Sequence, residues 1–443
     1  MRSMRIRGMS LLMGLAVLLS ILSACGAGTS GGNGGSGGST PTGSKIIKVA
    51  TDLPVSNKDA SSGKPAENGA HLAVDEANKA NFIPGYQIVF VPKDDVGVAG
   101  IHDPAVGQQN VRALIGDGLV AGIVGPFNSN VARAELPITN TAPIAQISPA
   151  NTNTCLTQSG ANVNCAGAND VVKTMRPTGK VTYFRVATTD SHQGPAGAQY
   201  LYNTEKYRTA YVIDDAETYG VGLVDAFSRE WQTLGGTVLG RSSEPSTTTS
   251  YVSLLTQVAT KKPDVIYFGG LDSTGGILIR QQMGQVPSLS KTAFAGGDGL
   301  VTPSFASTIG VPQSPVFGTV AVVDTTVSTE AATFRQNYTA AGYTQLNVYS
   351  AAAYDCMKIL LQAVKNALAA GAVVPKDSSD AAGAKTFRQQ VIDQIAKIDY
   401  TGVTGHHTFD QNGDTTNRFI SIYKLGNNTS NKPDWIYVTG LKV

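Results

Sequence analysis

Two short loops carry residues whose types and spacing suggest chemistry. Ser129 follows Pro126-Phe127-Asn128, and a little further on comes Ser148-Pro149-Ala150-Asn151-Thr152. Hydroxyls beside free backbone N–H groups bind anions, and a helix N-terminus adds the pull of its dipole. The pair therefore reads as a cradle for a carboxylate.

The elements that must place these loops lie around them. Residues 119–125 are a short continuous apolar run, as expected of a strand buried on both faces of a parallel sheet. Ser129 stands where a helix N-cap belongs, and 130–140 carry helical spacing up to Pro137. A second apolar strand, 143–147, ends in the Ser148 to Thr152 loop. Two strands running the same way bring both loops to one sheet edge, where ligands bind in open α/β sheets. Ser129 also reads as a simple helix cap; the companion loop at Thr152 favours a ligand.

The chain has 443 residues, too long for one ordinary core, so two lobes are expected. Charged residues are 15% of it, below the ~25% usual in soluble domains, with Gly, Ser, Thr and Asn in their place. Arg2, Arg5 and Arg7 supply the small basic excess, so the remainder is near neutral. A nucleic-acid partner would demand a basic face, and nothing in the composition suggests one.

Those arginines, followed by the apolar run 10–22, form a signal peptide over 1–24. The apolar run is shorter than the ~20 residues that span a bilayer. Leu22-Ser23-Ala24-Cys25 resembles a lipobox, which would make Cys25 the lipidated first mature residue and anchor the protein to a membrane; the alternative is an ordinary signal peptide with an incidental cysteine. Residues 25–44 are a Gly/Ser tether that cannot bury a core. The G-x-S-x-G and G-x-G-x-x-G matches inside it lie between no strand and helix and are products of composition.

From Lys45 onward short apolar runs alternate with amphipathic stretches, the pattern of an α/β fold. Strands are expected at 46–50, 87–91, 182–187, 209–213, 238–240, 265–269, 292–295 and 316–323, and helices at 66–79, 221–234, 251–260 and 274–284. Asp103-Pro104 is a helix start, and Asp190 to Pro195 opens another. Three further helical stretches centre on Phe334, Leu360 and Ile392 before short β-like runs at 419–423 and 435–438. Asp298, just past a strand, reads either as a turn residue between two glycines or as a ligand group. Tyr219, in a loop after a strand, reads as a cleft residue.

Cys155 and Cys165 close a small loop, read as a disulfide in an exported protein; Cys356, on an apolar helix, reads as a buried thiol. His406-His407 lacks acidic or cysteine partners at metal-ligand spacing. Asp410 to Asp414 lacks the spaced glutamate of a calcium loop and reads as a turn. No metal or cofactor is expected.

Several features in order resemble a known family. They are Asn68-Gly69-Ala70, Asp94-Asp95, the Gly125 loop, Ile147 to Thr152, Ser191-His192-Gln193-Gly194, Tyr219-Gly220 and Phe409 to Asp414. Together they resemble type I periplasmic substrate-binding proteins of ABC transporters, the branched-chain amino acid group, over about 46–424. The resemblance implies two doubly wound α/β lobes joined by three crossover segments near 188–192, 323–327 and 399–404, with a ligand cleft between them. Lobe one would be 45–190 plus 325–400, and lobe two 191–324 plus 401–443.

The resemblance also implies roles. Ser129 and Thr152 would bind an α-carboxylate, the Ala150 carbonyl and Asp298 an ammonium, and Tyr219 would cover the ligand, with His192 nearby. Three positions depart from the family pattern. Ser62 replaces a frequent aromatic, Asp298 is a methylene shorter than the usual glutamate, and His192 fills a place often small and hydroxylated. The expected protein is a monomeric, extracytoplasmic, lipid-anchored solute-binding protein serving an ABC permease by hinge closure on an amino acid or related solute. The same scaffold could instead serve as a ligand-sensing receptor for an amide or urea. No Ser-His-Asp ordering, metal cluster or nucleophile elbow supports an enzyme.

Overall fold

The computed structural model describes residues 45–159, 165, 171–326 and 328–443. The expected signal peptide, Cys25 and the tether lie outside the described residues.

The first sheet is built from β1 (Lys45–Leu53), α1 (Ala60–Lys79), β2 (Tyr86–Asp94), α2 (Pro104–Gly116), β3 (Val120–Val124), α3 (Ser129–Thr141), β4 (Ala145–Ser148), α4 (Val171–Met175) and β5 (Tyr183–Arg185). Its strands run parallel in the order β2-β1-β3-β4-β5. All five residues of β3 are buried, because helices cover both faces. On one face Val120 and Ile123 pack with Val111 and Leu114 of α2. On the other, Ala121 and Val124 join a larger core with α1.

The second sheet follows through α5 (Asp190–Asn203), β6 (Thr209–Asp214), α6 (Thr218–Thr233), β7 (Thr237–Ser243), α7 (Val252–Lys261), β8 (Val265–Gly269), α8 (Ile277–Met283), β9 (Ala293–Gly296), α9 (Pro303–Ile309) and β10 (Val316–Val320). In β8 the two-residue period sorts side chains strictly. Ile266 and Phe268 enter one core, while Val265 and Tyr267 enter the other with Phe227 and Trp231.

The chain then returns through α10 (Ala332–Ala340) to α11 (Val348–Ala369) and α12 (Ala381–Ile395), both packed on the first sheet. A hairpin, β11 (Tyr400–Gly402) with β12 (Gly405–His407), precedes β13 (Phe419–Asn427) and β14 (Pro433–Lys442). These last two complete the second sheet, ordered β14-β13-β10-β9-β8-β6-β7, with antiparallel pairing at the β13 edge.

The molecule is thus two α/β lobes with three crossovers. The crossovers lie side by side: Thr188 N–H donates to the Ala321 carbonyl at 3.0 Å, and Arg185 N–H to that of Gly413 at 3.1 Å. The third crossing comes later than 399–404. Asp355 of α11 accepts Val403 N–H at 3.0 Å and Thr404 N–H at 2.7 Å, which keeps the hairpin on the first lobe.

Two helix boundaries differ from expectation, the first for a reason visible in the contacts. Helix α1 begins at Ala60 and runs through Pro65 rather than starting at Ala66. A proline in a helix frees a carbonyl one turn back, and the Asn347 amide donates to the Ser61 and Ser62 carbonyls at 3.2 and 3.3 Å. Helix α3 likewise continues through Pro137 to Thr141.

Candidate binding cleft

The loops after β3 and β4 are laced together by their own polar groups. Ser148 Oγ donates to the Pro126 carbonyl at 2.6 Å and accepts Asn151 N–H at 2.9 Å. Asn151 Nδ2 reaches the Phe127 carbonyl at 2.6 Å, and Tyr183 OH donates to Asn151 Oδ1 at 2.8 Å. Gly125 starts the first loop at φ +133°, where a Cβ would stand 2.3 Å from the Asp52 carbonyl oxygen. Only glycine fits there.

This lacing puts Ser129, Ala150 and Thr152 on the wall of one cavity. Ser129 is the first residue of α3 and Asn128 is its N-cap, one position earlier than expected, without a side-chain capping bond. Asn128 Oδ1 and Thr152 Oγ1 are buried and make no well-formed hydrogen bond within the protein. Thr152 lies close enough to Asp190 to favour that group's charge, although burial, then the Asp298 charge, holds the Asp190 carboxyl well above the usual range.

Lobe two supplies the opposite wall. Tyr219 sits in the first turn of α6 rather than in the preceding loop. Its hydroxyl donates to Asp298 Oδ1 at 2.8 Å, as does Gln193 Nε2 at 2.8 Å. The Tyr349 hydroxyl, from the first lobe, donates to Asp298 Oδ2. Burial raises the Asp298 carboxyl despite these donors. The lining residues border about 580 Å³ of non-atom space, the solvent at its open mouth included.

His192 is not among the lining residues; it is half-buried on α5. Burial, then the nearby Arg418 charge, lowers its pKa. Asp190, Gln193 and Gly194 form the buried face of α5, and His192 falls off that helical period. Gln193 is the residue that reaches Asp298.

Residues not singled out from the sequence complete the wall: Asp59, Asn128, Glu217, Asp272 and Tyr349. Glu217 and Asp272 follow the C-terminal ends of β6 and β8, the same edge that offers Tyr219 and Asp298, so strand-end logic could have found them. Tyr349 was hidden because it arrives on a late helix. His102, at 3% exposure, bridges the lobes. Its Nδ1 lies 2.8 Å from Asp59 Oδ2 and its Nε2 lies 2.9 Å from Glu217 Oε2. Burial alone would lower the imidazole pKa, but the two carboxylates outweigh it and raise it to about 10. Asn130 also donates to Glu217 at 3.1 Å, and Ser273 of lobe two to Asp59 at 2.6 Å.

Elsewhere, Cys155 and Cys165 are bonded, with Cα atoms 5.7 Å apart, and Cys356 is a buried free thiol. His406 pairs with Asp399 at 2.8 Å, and His407 lies between Thr404 and Thr415. Asp410 accepts the Asn412 and Asp414 N–H groups, forming a turn.

The family model described as periplasmic binding protein matches residues 46–430. The chain belongs to the periplasmic binding protein family. A Leu/Ile/Val-binding protein of Rhizobium johnstonii is 26% identical over 390 residues, covering 87% of this chain and 93% of that one. An amino acid binding protein of Pseudomonas aeruginosa is 28% identical over 261 residues, covering 59% of this chain and 62% of that one. Among solved structures, the leucine-binding protein LivK of Thermotoga maritima superposes with a TM-score of 0.71 at 21% identity, covering 89% of this chain and 99% of that one. A solute-binding protein of an ABC transporter from Rhodopseudomonas palustris, solved with p-hydroxybenzoic acid, gives 0.72 at 15% identity, covering 90% and 97%. This binding protein thus has the type I two-lobe fold.

Proposed function

We propose that this protein is the extracytoplasmic solute-binding component of an ABC importer and captures an amino acid or related small polar solute by closing its lobes. The observation that carries the reading is the pairing of two unlike ends in one cavity. Ser129 and Thr152, beside the N-terminus of α3, suit a carboxylate, with Thr152 Oγ1 buried and making no well-formed hydrogen bond within the protein. Asp298 and the Ala150 carbonyl suit an ammonium, and Tyr219 flanks them. Each charge-assisted hydrogen bond to such a zwitterion contributes ~1.5–3 kcal/mol. A carboxylate held by lobe one and an ammonium held partly by lobe two favour the closed state, as a population shift requires.

The role is binding without chemistry. An aromatic acid of the kind bound by the Rhodopseudomonas palustris protein shares the carboxylate but would leave Asp298 without an ammonium. Cleavage before Cys25 and lipid attachment would hold the protein at the membrane beside its permease, which mass spectrometry of the membrane-extracted protein tests.

A thermal-shift screen of amino acids, amides, urea and small carboxylates tests the main reading. A ligand at a hundredfold its Kd stabilises by ~2.7 kcal/mol. If only carboxylates lacking an amine stabilise the protein, or nothing does, the reading fails.

A further inference from the structure

We propose that the captured amino acid carries a second positive charge on its side chain, an inference that rests on the amino-acid reading above. Asp59, Glu217 and Asp272 share the cavity wall with Asp298, and no lysine or arginine is among the lining residues. The cation touching this wall, His102, is divided between Asp59 and Glu217 and balances one of them. Lys58 borders an adjoining groove and is exposed.

The oxygens already engaged show what is left over. Asp59 accepts from His102 and Ser273. Glu217 uses Oε2 for both His102 and Asn130, and the residue borders the cavity. Asp272 accepts from Thr302 Oγ1 at 2.6 Å and Ser273 N–H at 2.8 Å, neutral donors that supply no counter-charge. Burial pushes its carboxyl up to about 6, so it is still ionised at neutral pH. Independently of the acids, Asn128 Oδ1, buried and unpartnered on the wall of the same cavity, marks it as a place where a polar solute sits.

An aliphatic side chain would seal these three carboxylates away from water with His102 as the one positive charge among them, and an anionic one would add repulsion. A side-chain ammonium or guanidinium supplies the missing charge. The acidic wall thereby both selects cationic solutes and rejects others.

The test is calorimetry at pH 7.5 with lysine and ornithine against norleucine and norvaline, which keep the chain and lose the charge, with leucine and glutamate alongside. The expected result is binding of the better cationic member about tenfold or more tighter than its neutral partner. The Asp272→Asn and Glu217→Gln variants are each expected to shrink that ratio. Neutral compounds binding as tightly as cationic ones, or a ratio unchanged in both variants, would overturn the side-chain inference while leaving the amino-acid reading standing. Failure of every α-amino acid to bind would overturn the proposed function itself.

Discussion

His102 Nε2 lies 2.9 Å from Glu217 Oε2, and this pair joins the two lobes at the wall of the cleft. Asp59 holds the other ring nitrogen, so the imidazole is doubly charge-assisted with its side chain fully buried. Such contacts are worth more than exposed ion pairs.

Glu217→Gln should therefore favour the open form. Removing the carboxylate charge lowers the energy holding the lobes together by ~1–2 kcal/mol, or roughly five- to thirtyfold in ligand affinity. Calorimetry reads the affinity, and small-angle scattering reads the radius of the ligand-free protein. An unchanged radius together with unchanged affinity would show that the pair does not govern closure.

Thr152→Val and Ser129→Ala should each weaken the ligand about tenfold, since each removes one hydrogen bond to a charged group. Thr152→Val should barely change the melting temperature, because its hydroxyl makes no well-formed bond within the protein. Equal affinity in both variants would remove the carboxylate cradle.

Stability should fall from neutral to alkaline pH. His102 is raised from 6.5 to about 10, so its contribution is complete below 6.5 and is lost as pH rises through 10. Asp52 acts in the same direction at lower pH. Burial raises it from 3.8 to about 7, opposed by a hydrogen bond with Glu135, so the folded state holds its proton longer and loses that advantage between those values. Urea unfolding across pH 4 to 10 should show both declines, with Glu217→Gln flattening the alkaline one and Asp52→Asn the acidic one.

Arg185→Met should be severely destabilising. The guanidinium is fully buried, donates to Asp414 at 2.6 Å and to the Asn153 carbonyl at 2.8 Å, and has Thr157 as a further partner. Breaking such a pair strands a buried carboxylate and costs ~3–5 kcal/mol. A chemical denaturation midpoint within error of the parent would contradict this.

The alternating apolar runs made the strands legible, since a strand such as Val265–Gly269 is buried on both faces and leaves an unbroken signature. The strand-end rule likewise pointed to Ser129, Thr152, Tyr219 and Asp298, all of which line one cavity. What stayed hidden depends on distant chain. Helix α1 could extend through Pro65 because Asn347 takes up its loosened carbonyls. Tyr349 and His102 meet the cleft only through tertiary packing. His192 and Gln193 are neighbours in sequence, and only the rotation of α5 decides which of them faces Asp298.

The interleaving of the lobes has a consequence for how the protein matures. The first sheet is covered by α11 and α12, which are synthesised only after most of the second sheet, and that sheet in turn awaits β13 and β14. Neither half is an uninterrupted piece of polypeptide, so ribosomal order cannot finish one before starting the other. Both must settle at nearly the same moment, once the last strands have emerged. Severing the gene between the halves would give fragments that each lack a layer of their own core.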